Sequence, residues 1–183
     1  MNKTGLGIVA FLILAAGVLA TCGAPAPSAT LPPTPAYAPE PEANFALYFS
    51  YGCLGETLDI FQGTFTRGMC PPDPAVTIAL TLSAQEMQTI YREMAKIDLF
   101  GYPDQFSVVV PEGAVVEMVT PSDFHYLKVR NGGAEKELYW NDNIVSPTTK
   151  EADQLRVFLR QIIDIIYEHP EIKLVPTPNC ACA

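Results

Sequence analysis

Histidine and tryptophan are scarce in this sequence, two and one among 183 residues, and basic residues are outnumbered, 11 Lys+Arg against 20 Asp+Glu. So few imidazoles leave little material for general-base or metal chemistry. The net charge of −9 repels nucleic acid and anionic headgroups alike, so nucleic acid is not an expected partner. The charge reads as what keeps an exported domain in solution. The familiar catalytic signatures are missing too: there is no Gly-x-Ser-x-Gly elbow, no Ser-x-x-Lys, no His-Glu-x-x-His and no phosphate-binding glycine loop with its lysine. The apolar run from Leu6 to Ala20 spans 15 residues. At 1.5 Å each it reaches roughly 22 Å, short of a hydrocarbon core about 30 Å thick, which excludes a spanning helix.

What is present begins with that run. Lys3 precedes it, and Leu19-Ala20-Thr21-Cys22 closes it with small residues before a cysteine. A positive start, a short apolar middle and a small-residue cleavage point make a secretory signal. The cysteine directly after it makes residues 1–21 a lipoprotein signal, with Cys22 the acceptor of acyl chains. Each buried methylene contributes about 0.8 kcal/mol, so two or three chains hold a protein on a bilayer. The expected location is therefore the cell membrane or outer membrane, lipid-anchored and facing the extracytoplasmic side. The bilayer is a partner through acylated Cys22.

Residues 22–43 carry Pro25, Pro27, Pro32, Pro33, Pro35, Pro39 and Pro41 and few bulky apolar side chains. Proline fixes φ and removes a donor, so this is an extended linker of up to ~65 Å at ~3.1 Å per residue. Residues 44–178 then form a single domain, long enough to bury a core, and residues 179–183 a cysteine-containing tail. Alternation at 45, 47, 49 and 51 predicts a strand, and Thr57 to Phe61, Thr64 to Arg67 and Ala75 to Leu82 predict three more. Ser83 and Glu86 make a capping box for a helix carrying Met87, Ile90, Tyr91, Met94 and Ile97 up to Gly101 and Pro103. Its methionines read as core packing. Val108 to Val110 and Val115 to Val119 are candidate short strands.

Phe124 to Trp140 reads as a hairpin about Gly132-Gly133, pairing Arg130 with Glu135, Lys128 with Glu137, Tyr126 with Tyr139, Leu127 with Leu138 and His125 with Trp140. Opposite charges and aromatic pairs are what stabilise cross-strand neighbours. After Ser146-Pro147-Thr148 a proline-started helix carries Leu155, Phe158, Leu159, Ile162, Ile163 and Ile166. The expected fold is α+β: an antiparallel sheet with two amphipathic helices packed on one face.

Four cysteines follow Cys22. A bridge between Cys53 and Cys70 would staple two loops and add about 3 kcal/mol, although four cysteines allow three pairings and sequence does not choose among them. Cys180 and Cys182 are the candidate thiol or metal pair, since thiolates one residue apart can clamp a soft metal, but no histidine accompanies them. No metal site and no cofactor are assigned. His125, beside Trp140, and His169, before Pro170, read as structural, and Asp59 as pointing to solvent. No catalytic residue is named.

Tyr51-Gly52, Leu58-Asp59 with Gly63-Thr64, Leu82-Ser83 with Glu86 and Ile90-Tyr91, Tyr102-Pro103, the hairpin ending at Trp140, and Ile165-Ile166 to Leu174-Val175-Pro176 together resemble uncharacterised bacterial lipoproteins. The resemblance implies a small α+β domain behind a lipobox and no transferable activity. The cysteine tail departs from that type, which has glycine and tyrosine there.

Three readings follow. A non-enzymatic, tethered binding or interaction domain, with an unknown protein or small-molecule partner, predicts a sheet face with exposed Tyr126 and Tyr139 and no converging titratable residues. An envelope enzyme predicts a pocket where carboxylates with shifted pKa values meet His125 or a cysteine. A thiol or metal protein predicts free Cys180 and Cys182.

Overall fold

The computed structural model describes residues 40–180. The signal, Cys22, most of the proline linker and Cys182, for which expectations were given above, lie outside the described residues. The chain runs β1 (Ala46–Tyr51), β2 (Glu56–Asp59), β3 (Thr64–Arg67), β4 (Val76–Ala79), α1 (Ala84–Lys96), β5 (Gln105–Phe106), β6 (Glu117–Asn131), β7 (Ala134–Ser146) and α2 (Lys150–Glu168). Short 3₁₀ turns follow α1 and α2 at Leu99–Gly101 and Ile172–Leu174. The fold is α+β, with one seven-stranded sheet in the order β4-β3-β2-β1-β6-β7-β5.

The sheet is mixed, which corrects the antiparallel expectation. Every other pairing is antiparallel, but β5 runs parallel to β7, with Gln105 opposite Tyr139 and Phe106 opposite Trp140. At two residues β5 is too short to show a pattern in sequence, and its place is fixed by Phe106, whose ring packs edge-on against Trp140 at 5.2 Å. The hairpin has the predicted register, with all five predicted pairs directly opposed. It also extends further than predicted, although its ladder is irregular between Met118 and Asp123, where Pro121 has no N–H to give. Val108 to Val110 forms no strand, and of Val115 to Val119 only the part from Glu117 joins β6.

Alternation decides the core. Leu47, Phe49 and Tyr51 of β1 share one buried cluster with Leu58, Phe65, Leu127, Val129, Leu138 and Trp140 and with Ile90, Met94, Leu155, Phe158, Leu159, Ile162 and Ile166 of the helices. Burying each such side chain contributes roughly 1.5–3 kcal/mol. Helix α1 starts as predicted: Ser83 Oγ accepts from the Glu86 N–H at 3.3 Å, and the Ser83 N–H donates to Glu86 Oε2 at 2.6 Å. It ends earlier than Gly101, because Asp98 takes a left-handed φ of 51°, a conformation Asp tolerates. The cap of α2 is Thr149, whose hydroxyl accepts from the Ala152 N–H at 3.2 Å, so Pro147 precedes this helix and does not begin it.

Candidate functional site

The strand residues that do not join the core form rows across the other side of the sheet. One row is set by the pairings Thr77 with Thr66, Thr66 with Thr57, Thr57 with Ser50, Ser50 with Tyr126 and Tyr126 with Tyr139. The next sets Asp59 beside Tyr48, Lys128 and Glu137. The tyrosines stand together: Tyr126 stacks on Tyr139 with ring centres 4.5 Å apart, and Tyr48 leans on Tyr126 at 5.7 Å. Around them Lys128 Nζ reaches Glu137 at 3.1 Å, Arg130 pairs with Glu135 at 2.8 Å, and the Arg130 guanidinium lies 5.0 Å from the centre of the Phe61 ring. A concavity of about 490 Å³ opens between Tyr48, Asp59, Phe61, Tyr126, Lys128 and Arg130. Burial, then the Tyr139 hydroxyl and the Glu137 carboxylate, push the Tyr126 phenol up, so it is neutral at any physiological pH. Asp59 lies half-buried here and accepts from the Gln62 N–H at 3.1 Å.

The sequence pointed to Tyr126 and Tyr139. It missed Tyr48, which joins them only because β1 pairs with β6, and it missed Phe61 and Arg130 as a cation–π pair. Nothing local announces such contacts across strands.

His125 is where titratable groups converge. It lies in the core row of β6, 8 % exposed, with its ring stacked near Phe49 and tilted against Trp140. It borders a cavity of about 530 Å³ together with Asp123, Asp142, Arg156, Arg160 and Asp164. Burial lowers its pKa; Asp123 and Asp142 oppose that, and Arg160 adds to it. Its Nδ1 finds no hydrogen-bond partner. Asp142 is committed to a two-pronged pair with Arg156, at 2.8 and 2.6 Å, and Arg156 also donates to the Ile144 carbonyl at 2.7 Å. No residue lining the cavity carries a hydroxyl or thiol, so the nucleophiles it offers are its aspartates and the imidazole. His169, at the end of α2, places Nε2 3.1 Å from Glu86 Oε1 of α1 without hydrogen-bond geometry.

The cysteines correct two expectations. Cys70 is bridged to Cys180, with Cα atoms 5.8 Å apart, and not to Cys53. The reason is the path of the chain, which returns past the Cys70 loop after α2, bringing together residues 110 apart in sequence. Cys53 is itself disulfide-bonded. Cys180 therefore has no thiol to offer a metal, and among the described residues no group of three or more His, Cys, Asp or Glu side chains could hold one.

The chain matches no protein-family model and no curated protein.

Proposed function

We propose that this chain is a lipid-anchored extracytoplasmic protein whose folded domain binds a protein partner through the tyrosine face of its sheet. The anchor is Cys22, acylated after removal of residues 1–21, and the proline linker carries the domain away from the bilayer. Both helices lie on the opposite face, a reading supported by their apolar stripes sharing one buried cluster with the alternate strand residues.

The observation that carries the reading is the cluster of Tyr48, Tyr126 and Tyr139, on strand positions the core does not use, with Phe61 and Arg130 beside it. Tyrosine and arginine are the residues that dominate binding energy in protein interfaces, because each covers a large area and ends in a hydrogen-bonding group. Stacked against one another, these rings are already ordered, so a partner meets them at little further cost in side-chain entropy.

The test is the triple variant Tyr48→Ala, Tyr126→Ala, Tyr139→Ala beside Cys22→Ser. The first is expected to keep the protein in the membrane fraction and lose a partner that co-purifies with wild type; the second is expected to move it to the aqueous phase. A triple variant that keeps the partner sinks the binding face, and a Cys22→Ser protein that stays in the membrane sinks the anchor.

An envelope enzyme is the second reading, favoured by the meeting of His125 with three carboxylates in one cavity. It ranks below the first because Asp142 is engaged by Arg156 and no hydroxyl or thiol lines that cavity.

A further inference from the structure

We propose that the free edge of the sheet at β4, with the apolar groove beside it, binds an extended peptide segment of another protein as an added strand. β4 is last in the strand order and pairs only with β3. Among the described residues no backbone hydrogen bond reaches its other side, so alternate N–H and C=O groups along it point outward. Such a row is a template for one more strand, and proteins usually guard it with a charge, a proline or a bulge. The stretch from Ala75 to Leu82 carries neither charge nor proline; Pro71, Pro72 and Pro74 all precede it.

The core layer also stops short at this edge. Phe65 of β3 is fully buried, whereas Ile78, opposite it on β4, is only half-buried. Val76 and Ile78 line a groove of about 260 Å³ with Leu174, Val175 and Pro176 from the segment after α2, and Glu171 is the one charged residue in its lining. Leu174 is 85 % exposed, although a leucine gains roughly 1.5–3 kcal/mol when it is fully covered. An incoming strand answers both features. Its backbone continues the ladder beside β4, and every second side chain turns to the core side of the sheet and enters the groove beside Ile78 and Leu174.

Length and charge narrow the occupant. The four residues of β4 span about 13 Å, and a contact of that length between two copies of this chain falls short of the ~1,200 Å² that a stable interface buries. Pairing two copies would also bring together two bodies of net charge −9. A peptide added to a sheet edge needs less, since its main-chain hydrogen bonds supply affinity and its alternate side chains supply specificity. Glu171 in the groove and Asp73 just before β4 are both exposed. Charge complementarity therefore gives the segment lysine or arginine at its ends, with apolar β-branched residues at alternate positions between them.

The probe is a short synthetic peptide alternating valine and threonine between two terminal lysines, titrated into the full chain by fluorescence anisotropy, with amide hydrogen exchange read at saturation. Its control is the same peptide N-methylated at alternate residues, which keeps the side chains and blocks the ladder. The unmethylated peptide is expected to bind saturably and to slow exchange in Val76–Ala79, and the methylated one to bind at least tenfold more weakly. Leu174→Ser, at an exposed position, is expected to weaken binding about fivefold with Tm unchanged. Absence of saturable binding, equal binding of the methylated peptide, slowed exchange elsewhere with β4 unchanged, or Leu174→Ser binding like wild type would each overturn the proposal. So would a dimer that protects β4 with no peptide present, because the edge would then belong to a second copy.

Discussion

The two faces of the sheet are made by alternate residues of the same strands, and each carries what its side does not need for folding alone. The core-facing residues include Arg67 and His125, both buried, in the same layer as Phe49, Leu138 and Trp140. The other face carries three tyrosines in contact, where threonines like Thr57, Thr66 and Thr77 would serve a solvent-exposed sheet as well. The difference teaches where to look. On the core side, polar groups are buried among apolar ones; on the open side, aromatic rings touch one another.

The comparison breaks most sharply at the core. Leu138→Ala, fully buried, is expected to cost about 2–5 kcal/mol in chemical denaturation, whereas its chain neighbour Tyr139→Ala removes only cross-strand stacking. A comparable loss in both would mean that the open face is a second core. Next comes Arg67→Met, which leaves Glu56 partly buried beside an uncharged side chain; the expected cost is about 3 kcal/mol, read in the same denaturation series. A neutral result would remove Arg67 and Glu56 from the account of the fold.

His125 gives a smaller effect with a defined sign. In the unfolded chain an imidazole takes up a proton as pH falls through about 6.5, but burial holds His125 neutral in the folded state to lower pH. The unfolded state then binds more protons, so stability is complete above that pH and declines as pH falls below it. His125→Phe is expected to flatten this decline in a Tm series taken between neutral pH and the acid limb. An unchanged slope would show that other groups cause it. Smallest is Tyr139→Ala itself, within about 1 kcal/mol of wild type in the same denaturation series.

Much of this was legible in the chain because it was written locally. The hairpin register followed from Lys128 with Glu137 and Arg130 with Glu135, which oppose in one alignment only. The start of α1 followed from Ser83 and Glu86, three residues apart. What was not legible depends on contacts between distant segments. Arg67 reads as a charge at the end of a short strand, and only the return of the chain to Val175 buries it. The Cys70–Cys180 bridge joins segments that no local rule pairs. Val115 and Val119 look like strand residues waiting for a core, yet Val115 stays exposed beyond the sheet and Val119 is exposed within the irregular part of β6. The tyrosine face was half legible: Tyr126 and Tyr139 by the hairpin, Tyr48 only once β1 is known to lie beside β6.

The central claim is the proposal that the tyrosine face of the sheet binds a protein partner. A photo-crosslinking residue placed at Tyr139, and another at Val157, which is 67 % exposed on α2, tests it in intact cells. The account predicts one discrete adduct from position 139, lost when Tyr48 and Tyr126 are replaced by alanine, and none from 157. The same adduct from 157, or none from 139 in cells where 157 gives one, would contradict it.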